Sequence, residues 1–331
     1  MLNNIFIILA AIALCTCQAW AADTFTLKDL SRYEGVWKRE FKNQEGKPQL
    51  VVYIQHRIDT NTASMRSFQL GFDPDSLEVK WSITGWTGLS PSGENFHGLG
   101  FASGGQVFEI VRIPKRGKFL YQMMGTGTNG SHWFYTQVQE FLSDTEIRVT
   151  EMNVTTNGTF TEKVLEGNFK KTNRSSIEDL VQHKELVFGN WNKNQPISQL
   201  APMKRLLGHW QVKDSNGKEE LNCHFRYHGD GKWMVEYWNF AGGGAGVNVS
   251  GVDPLTGELA LWSVGKNFMG KIGRWDELDK DVLGQVQGGG RLVREFPDAK
   301  TYKAHWQGLT KGAYVDARQK GYTAKLVEES K

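Results

Sequence analysis

The sequence contains one Gly-x-Trp pattern twice, at the start of two stretches of similar length. The copies are Gly35-x-Trp37 and Gly208-x-Trp210, and each follows a short amphipathic run and leads into a segment with strand-like alternation. A marker that recurs in this way indicates a duplicated domain, which restricts the fold to two copies of one unit. The length of 331 residues gives each copy enough chain to bury a core of its own.

Both copies predict a series of strands separated by turns, without a long helical period. The turns are marked by pairs such as Asn129-Gly130 and Asn157-Gly158. Many antiparallel strands at regular spacing favour a barrel or a sandwich over alternating strands and helices. The predicted strands are residues 50–54, 64–70, 107–111, 119–123, 132–136 and 147–152 in the first copy, and 233–238, 259–262, 271–275, 291–296 and 301–306 in the second.

A second pattern supports the duplication. An Asp-Pro pair begins at Asp73 and again at Asp253, and a tryptophan follows each pair, at Trp81 and at Trp262. The spacing is one residue longer in the second copy. We therefore expect these two turns to be equivalent in the two domains.

Residues 1–21 have the pattern of a signal peptide. An apolar stretch precedes Ala19-Trp-Ala21, a small-x-small cleavage site. The stretch is short for a membrane span, so no transmembrane segment is expected in the mature protein, which is predicted to be exported to a periplasmic or secreted location. Cleavage would leave Cys223 as the single cysteine, so the exported protein would have no internal disulfide.

The remaining chain divides into two β-domains and a connector. We expect the first domain at residues 22–172, a helical connector at 173–200 and the second domain at 201–331. The connector begins with the capping-box spacing of Ser176 and Asp179, and apolar residues follow at helical intervals. It is therefore expected to be an ordered segment that packs against one of the domains.

Together, the leading helix, the Gly-x-Trp pattern, the strand series and the Asp-Pro turn resemble the calycin group of lipocalins, fatty-acid-binding proteins and their bacterial relatives. Within that group the chain is most similar to a bacterial family of lipocalin-like domains of unknown function. Residues 203–262 carry the resemblance best, and the first copy matches through Gly35-x-Trp37 and residues 71–74. The resemblance implies an all-β fold with two tandem lipocalin-like antiparallel β-barrels joined by a short helical connector.

The resemblance also implies structural roles for Gly35, Trp37, Gly208 and Trp210. In the wider group the tryptophan closes one end of the barrel and often packs against a basic side chain of the final strand. The basic candidates are Lys170 or Lys171 in the first copy and Arg318 or Lys325 in the second.

Several classes of function are not predicted. The formal charge is only +3 and the basic residues are scattered, which argues against a nucleic-acid partner. One calycin branch binds haem through a histidine on a late strand, but residues 163–171 and 317–326 contain no histidine, so no cofactor is expected. No local catalytic motif is present, and Cys223 lies on the apolar side of its segment, where an unreactive thiol is expected.

His224 and His228 do not predict a metal site. The alternation around them is that of a strand, and Arg226 between them would repel a cation. Residues 242–246 and 288–290 are rich in glycine, but both run into predicted strands rather than into a helix. They indicate hairpin turns rather than phosphate-binding loops.

The aromatic content is the remaining functional signal. The chain contains 12 tryptophans and 18 phenylalanines, and several tryptophans fall in or beside predicted strands. Most apolar positions pack in a core, so most of these tryptophans are expected to fill a core. If a cavity exists, its ligand-binding wall is predicted to include Trp81, Trp86, Trp238, Trp262 and Trp306, with His305 as a polar group.

The leading hypothesis is an exported, non-enzymatic protein that binds a small, largely apolar or aromatic molecule in a barrel cavity. The first alternative is a calycin-type isomerase, lyase or hydrolase that uses Tyr, His and carboxylate side chains of the cavity wall. The second is a module with filled barrels that binds a protein partner through the groove between the barrels or through the glycine-rich rims. An exposed, contiguous apolar patch would favour it.

Overall fold

The chain folds into two closed antiparallel β-barrels of ten strands each. This computed structural model describes residues 25–76, 78–115, 117–162, 164–177, 180, 197–228, 231–265, 268–317 and 321–327. The expected all-β fold with two tandem antiparallel barrels is confirmed. The predicted signal peptide, Arg318 and most of the predicted connector lie outside the described residues. No helix within the described ranges is both long and apolar enough to cross a bilayer.

The first barrel follows a 3-10 helix, Leu27–Tyr33. Its first nine strands pair in chain order, and β11 closes the barrel between β9 and β1. The short strand β10 extends β9 outside the closed ring. The strands are β1 Gly35–Lys42, β2 Pro48–Asp59, β3 Ser64–Phe72, β4 Val79–Leu89, β5 Phe96–Ala102, β6 Val107–Lys115, β7 Lys118–Thr126, β8 His132–Ser143, β9 Glu146–Thr156, β10 Thr159–Thr161 and β11 Leu165–Lys171.

The second barrel repeats this topology after a 3-10 helix, Ser198–Leu206. The strand β22 closes the ring between β20 and β12, and β21 is the short extra strand. The strands are β12 Gly208–Lys213, β13 Glu219–His228, β14 Trp233–Phe240, β15 Ala245–Val252, β16 Leu259–Gly265, β17 Phe268–Asp279, β18 Val282–Gln287, β19 Gly290–Asp298, β20 Thr301–Thr310, β21 Ala313–Asp316 and β22 Tyr322–Val327.

Every predicted strand lies within an observed one, and both glycine-rich stretches form hairpin turns. The structure adds strands that alternation did not show, including β5, which is buried along both faces except at one position. A strand buried on both faces has no polar side, and its sequence therefore lacks the period of two that alternation detects.

The Gly-x-Trp pattern has the same geometry in both barrels. The indole Nε1 of Trp37 donates to the carbonyl oxygen of Tyr33 at 2.6 Å, and that of Trp210 donates to the carbonyl oxygen of Leu206 at 2.6 Å. Each bond ties the first strand to the end of the preceding 3-10 helix. The glycine two residues before each tryptophan has a φ near +115°, a conformation that residues with a Cβ rarely adopt.

The final strand differs between the two copies. Lys171 pairs with Trp37 in register and places its Nζ 5.5 Å from the centre of the indole ring, within cation–π range. In the second barrel the residue opposite Trp210 is Leu326, while Lys325 pairs with Gln211 and belongs to the other face of β22. The predicted contact between the tryptophan and a basic side chain is therefore present for Lys171, and the prediction for Lys325 is wrong.

The expectation that the two Asp-Pro turns are equivalent is wrong. The turn at Asp73 follows the third strand of its barrel, whereas the turn at Asp253 follows the fourth strand of its own. The first barrel has Ser90-Pro91 at the position that corresponds to Asp253-Pro254. Both aspartates accept backbone N–H bonds from the residue two further on, so the shared pattern reflects shared turn chemistry rather than descent from one turn.

The two barrels pack against each other through one apolar cluster, called here the junction. Phe101 lies at its centre, with ring centroids 5.1 Å from Trp233 and 5.5 Å from Trp262. The indole Nε1 of Trp233 donates to the carbonyl oxygen of Ala102 at 2.7 Å, which adds a hydrogen bond between the barrels. The junction consists of Trp86, Leu99, Phe101 and Val107 from the first barrel and Trp233, Val235, Val247, Val249, Ala260, Trp262 and Val264 from the second.

The start of the connector covers the outer wall of the first barrel. Ile177 is fully buried in a cluster with Val36 and Phe68, which are on the outer face of their strands. The amide Nε2 of Gln55 donates to the carbonyl oxygen of Ser175 at 3.1 Å. These contacts attach residues 175–177 to the first barrel.

We expect Gly208→Ala to lower the free energy of unfolding by about 1–3 kcal/mol, because alanine is strained at this positive φ. The added Cβ would also overlap the side chain of Leu326. The measurement is urea unfolding followed by tryptophan fluorescence. The control is Gly289→Ala, where a Cβ meets no neighbour within 4 Å; equal losses in both variants would contradict the prediction.

Candidate functional site

Each barrel is filled at the end next to its 3-10 helix and hollow toward the other end. In the first barrel Leu30, Trp37, Met65, Phe96 and Phe119 pack together at the helix end. A cavity of about 270 Å³ lies on the other side of this cluster. The second barrel has the same arrangement and a cavity of about 360 Å³. The Gly-x-Trp tryptophans therefore belong to the closed ends and do not line either cavity.

The structure separates the predicted ligand-binding residues into three groups. Trp81 lines the first cavity, and Trp238 and Trp306 line the second. Trp86 borders the first cavity and also packs in the junction. Trp262 packs in the junction as well, but it does not line either cavity. His305 is paired through its Nε2 with the carboxylate of Asp316 at 3.2 Å and is not part of the second cavity wall.

Cross-strand glycines make room for the inward tryptophans. Trp81 pairs in register with Gly71, and Trp238 with Gly246. A Cβ on either glycine would overlap the indole ring. The indoles therefore lie flat across the neighbouring strand, and each fills less of the barrel interior than an indole that points to the barrel axis would.

A chain of polar side chains crosses the wall of the first cavity. The Nη1 of Arg39 lies 3.1 Å from a carboxylate oxygen of Glu151, and Gln137 donates to the same oxygen at 3.2 Å. Gln139 donates to Gln137 at 2.9 Å, and the hydroxyl of Tyr33 donates to Gln139 at 2.6 Å. The carboxylate of Glu151 is thus already neutralised by a guanidinium and held by an amide.

Arg112 is the charged group in this cavity without a carboxylate partner among the described residues. Its side chain is 4% exposed, and its Nε and Nη1 are buried and make no hydrogen bond. Its guanidinium carbon lies 5.0 Å from the ring centre of Tyr33 and 5.2 Å from that of Tyr121. Two aromatic faces partly compensate the charge, but the Nε and Nη1 donors have no acceptor.

His56 lies in the same cavity wall and is neutral. Its Nδ1 is 2.7 Å from the hydroxyl oxygen of Ser67. Burial lowers the pKa of His56 well below the usual value of about 6.5, and the positive charge of Arg112 lowers it further.

The cavity tyrosines stay protonated. Burial raises the pKa of Tyr33, Tyr121 and Tyr135 above the ordinary value for a phenol. Each hydroxyl therefore keeps its proton at neutral pH. Tyr33 donates it to Gln139, whereas Tyr121 and Tyr135 donate only to the weak acceptor Met123.

The second cavity has a carboxylate in its wall. Glu236 is 5% exposed and accepts a hydrogen bond from the amide of Asn248 at 2.7 Å, and Asn248 in turn accepts one from Ser263 at 2.6 Å. Arg294 donates to Gln285 at 2.6 Å. Burial and the neighbouring Glu236 raise the pKa of the Cys223 thiol, which keeps it protonated, as expected for an unreactive cysteine.

Five ionisable residues in the cavity walls were not expected from the sequence: Arg39, His56, Arg112, Glu151 and Glu236. The sequence does contain a signal for them. Each is an ionisable residue at an inward position of a strand whose other inward positions are apolar. Phe108, Ile110 and Arg112 alternate in this way along β6. From the sequence alone, such a position cannot be distinguished from one that faces outward after a register shift, because a shift of one residue exchanges the two faces of a strand.

We expect stability to fall as the pH drops below about 6.5, and His56→Gln to remove part of that dependence. The unfolded chain takes up a proton on His56 in this range while the folded chain does not, which costs up to about 1.4 kcal/mol per pH unit. The measurement is urea unfolding between pH 5.0 and 7.5. The control is His132→Gln at an exposed position; if the two variants keep the same slope, the prediction fails.

Comparison of the chain with known proteins identifies no family. Neither a protein-family model nor a curated protein sequence matches it. Among solved structures, a match is the crystal structure of a protein of unknown function from the DUF3598 family of Nostoc punctiforme PCC 73102, with 8% identity and a TM-score of 0.22. The match covers 92% of this chain and 99% of that chain. It assigns neither a family nor an activity.

Proposed function

We propose that the protein binds a small, largely apolar or aromatic molecule in the first barrel, and that this molecule has one acidic group which pairs with Arg112. The observation that carries the proposal is the buried guanidinium of Arg112, whose Nε and Nη1 have no acceptor among the described residues. A buried charge without a partner costs several kcal/mol, and a carboxylate placed beside it would recover part of that cost.

The donors around Arg112 suit the same acidic group. The guanidinium presents a planar set of N–H donors that matches a carboxylate, and the hydroxyls of Tyr121 and Tyr135 are directed toward Met123, a weak acceptor, at 3.6 and 3.2 Å. These phenols lose little if they turn to a stronger acceptor. An acidic ligand would therefore find one cation and two donors.

The rest of the cavity suits an apolar body. Its wall includes Ile54, Trp81, Ile83, Phe108 and Ile110, and its volume of about 270 Å³ is at the small end of ligand pockets. A ligand of this shape would keep its acidic end at Arg112 and its hydrocarbon or aromatic part against these side chains.

The same groups favour binding over acid–base catalysis. Glu151 is occupied by Arg39 and Gln137, His56 is neutral and bonded to Ser67, and the tyrosines keep their protons. The cavity thus offers fixed hydrogen-bond donors rather than a free general base. A lipocalin-like relationship and export of the protein complete the proposal, and both rest on the sequence patterns at the Gly-x-Trp motifs and residues 1–21.

We expect Arg112→Met to weaken binding of 1-naphthoic acid by about 10- to 100-fold, because one charge-assisted interaction is lost. Binding of the methyl ester of the same acid should not change. In the ligand-free protein, the substitution should leave the free energy of unfolding unchanged or raise it by about 1–3 kcal/mol, since a buried unpaired charge is replaced by an apolar side chain. Calorimetric titration and urea unfolding provide these values.

Arg148→Met is the matched control. It removes a guanidinium from β9, where the side chain is half exposed and paired with Glu140. Wild-type protein that binds acid and ester equally, or binds neither, would contradict the proposal. So would an Arg112→Met variant that retains full affinity for the acid.

A further inference from the structure

Beside the apolar junction lies a polar set of side chains contributed by both barrels. Arg66 comes from β3 of the first barrel, Arg226 and His228 from β13 of the second, and Tyr237 from β14. The guanidinium carbons of Arg66 and Arg226 lie 5.9 and 4.7 Å from the centre of the Tyr237 ring. One phenol ring therefore contacts a cation from each barrel.

These side chains have hydrogen-bonding atoms that no described residue satisfies. The Nε of Arg66, the Nε of Arg226, the hydroxyl of Tyr237 and both ring nitrogens of His228 are buried without a partner. His228 is only 3% exposed. Unsatisfied buried polar groups are few in native proteins, so several at one place indicate a missing partner.

The charge at this place is positive and unbalanced. Among the described residues, neither Arg66 nor Arg226 forms an ion pair with a carboxylate. Burial lowers the pKa of His228 well below its usual value, and the charges of Arg226 and Arg66 lower it further. Two like charges that flank one phenol ring in a partly buried site are unfavourable unless an anion neutralises them.

The chemistry of the donors selects the kind of anion. Guanidinium groups, a phenol and an imidazole N–H are donors that match the several acceptors of an oxyanion. The enclosed space next to His228 measures only about 10 Å³, too small for such an ion. The ion would therefore approach from the solvent side, where Arg66 and Arg226 are still partly exposed. It would contact the Nη ends of the two guanidinium groups, which are not among the buried unpaired atoms.

We propose that the junction binds a small oxyanion of the phosphate class between Arg66 of the first barrel and Arg226 of the second, with Tyr237 as an additional donor. Because its two cationic contacts come from different barrels, the ion would hold the barrels together as well as occupy the site. This site is separate from the cavity of the first barrel.

The test is thermal unfolding of the full chain in sodium phosphate and in sodium chloride at equal ionic strength. We expect a saturable rise of the unfolding midpoint of about 5 °C in phosphate only. Arg66→Gln and Arg226→Gln should each abolish the rise, whereas Arg148→Gln, on the distant strand β9, should retain it. Arg112→Met should also retain it, which separates this site from the barrel cavity.

Arg66→Lys provides a variant that keeps the charge and loses the planar donor set. It should weaken phosphate binding about 10-fold without changing the midpoint in chloride. Phenyl phosphate is titrated separately. Tighter binding of inorganic phosphate would indicate a free ion as the ligand, and tighter binding of phenyl phosphate would indicate a phosphate group at the end of a larger molecule. The absence of a phosphate-specific rise in wild-type protein, or its persistence in both glutamine variants, would overturn the proposal.

Discussion

The packing of one barrel wall against the other determines much of the side-chain arrangement in this protein. A barrel that stands alone buries only its inner face, so its strands alternate between apolar and polar residues. Here the outer faces of β4, β5, β14, β15 and β16 are also buried, because they form the junction. The outward positions of these strands must therefore be apolar, and large aromatic side chains such as Phe101 and Trp233 occupy them.

This constraint explains where the sequence predicted the site and where it did not. A tryptophan on a strand was expected to point into a barrel, and Trp81 and Trp238 do line cavities. Trp262 packs in the junction instead, since a second apolar surface was available outside. The distinction depends on contacts between strands far apart in the chain, and no local pattern contains them.

The duplicated motif predicted backbone geometry better than it predicted side-chain contacts. The φ of the glycine and the indole hydrogen bond are the same in both copies, because both follow from how a 3-10 helix joins the first strand. The residue opposite the tryptophan differs, Lys171 in one copy and Leu326 in the other. Arg112 was missed for a related reason: its role depends on an absent acceptor, and the sequence does not show which buried groups lack partners.

The two faces that meet at the junction come from overlapping sets of strands. The first barrel contributes mainly β4 and β5, its fourth and fifth strands, and the second contributes β15 and β16, its own fourth and fifth, together with β14. Contact between related surfaces of two copies is also how many homodimers form. The duplication thus places within one polypeptide an association that separate subunits would have to form by collision. Its stability does not depend on protein concentration, and the two copies were free to diverge, since neither has to be complementary to itself.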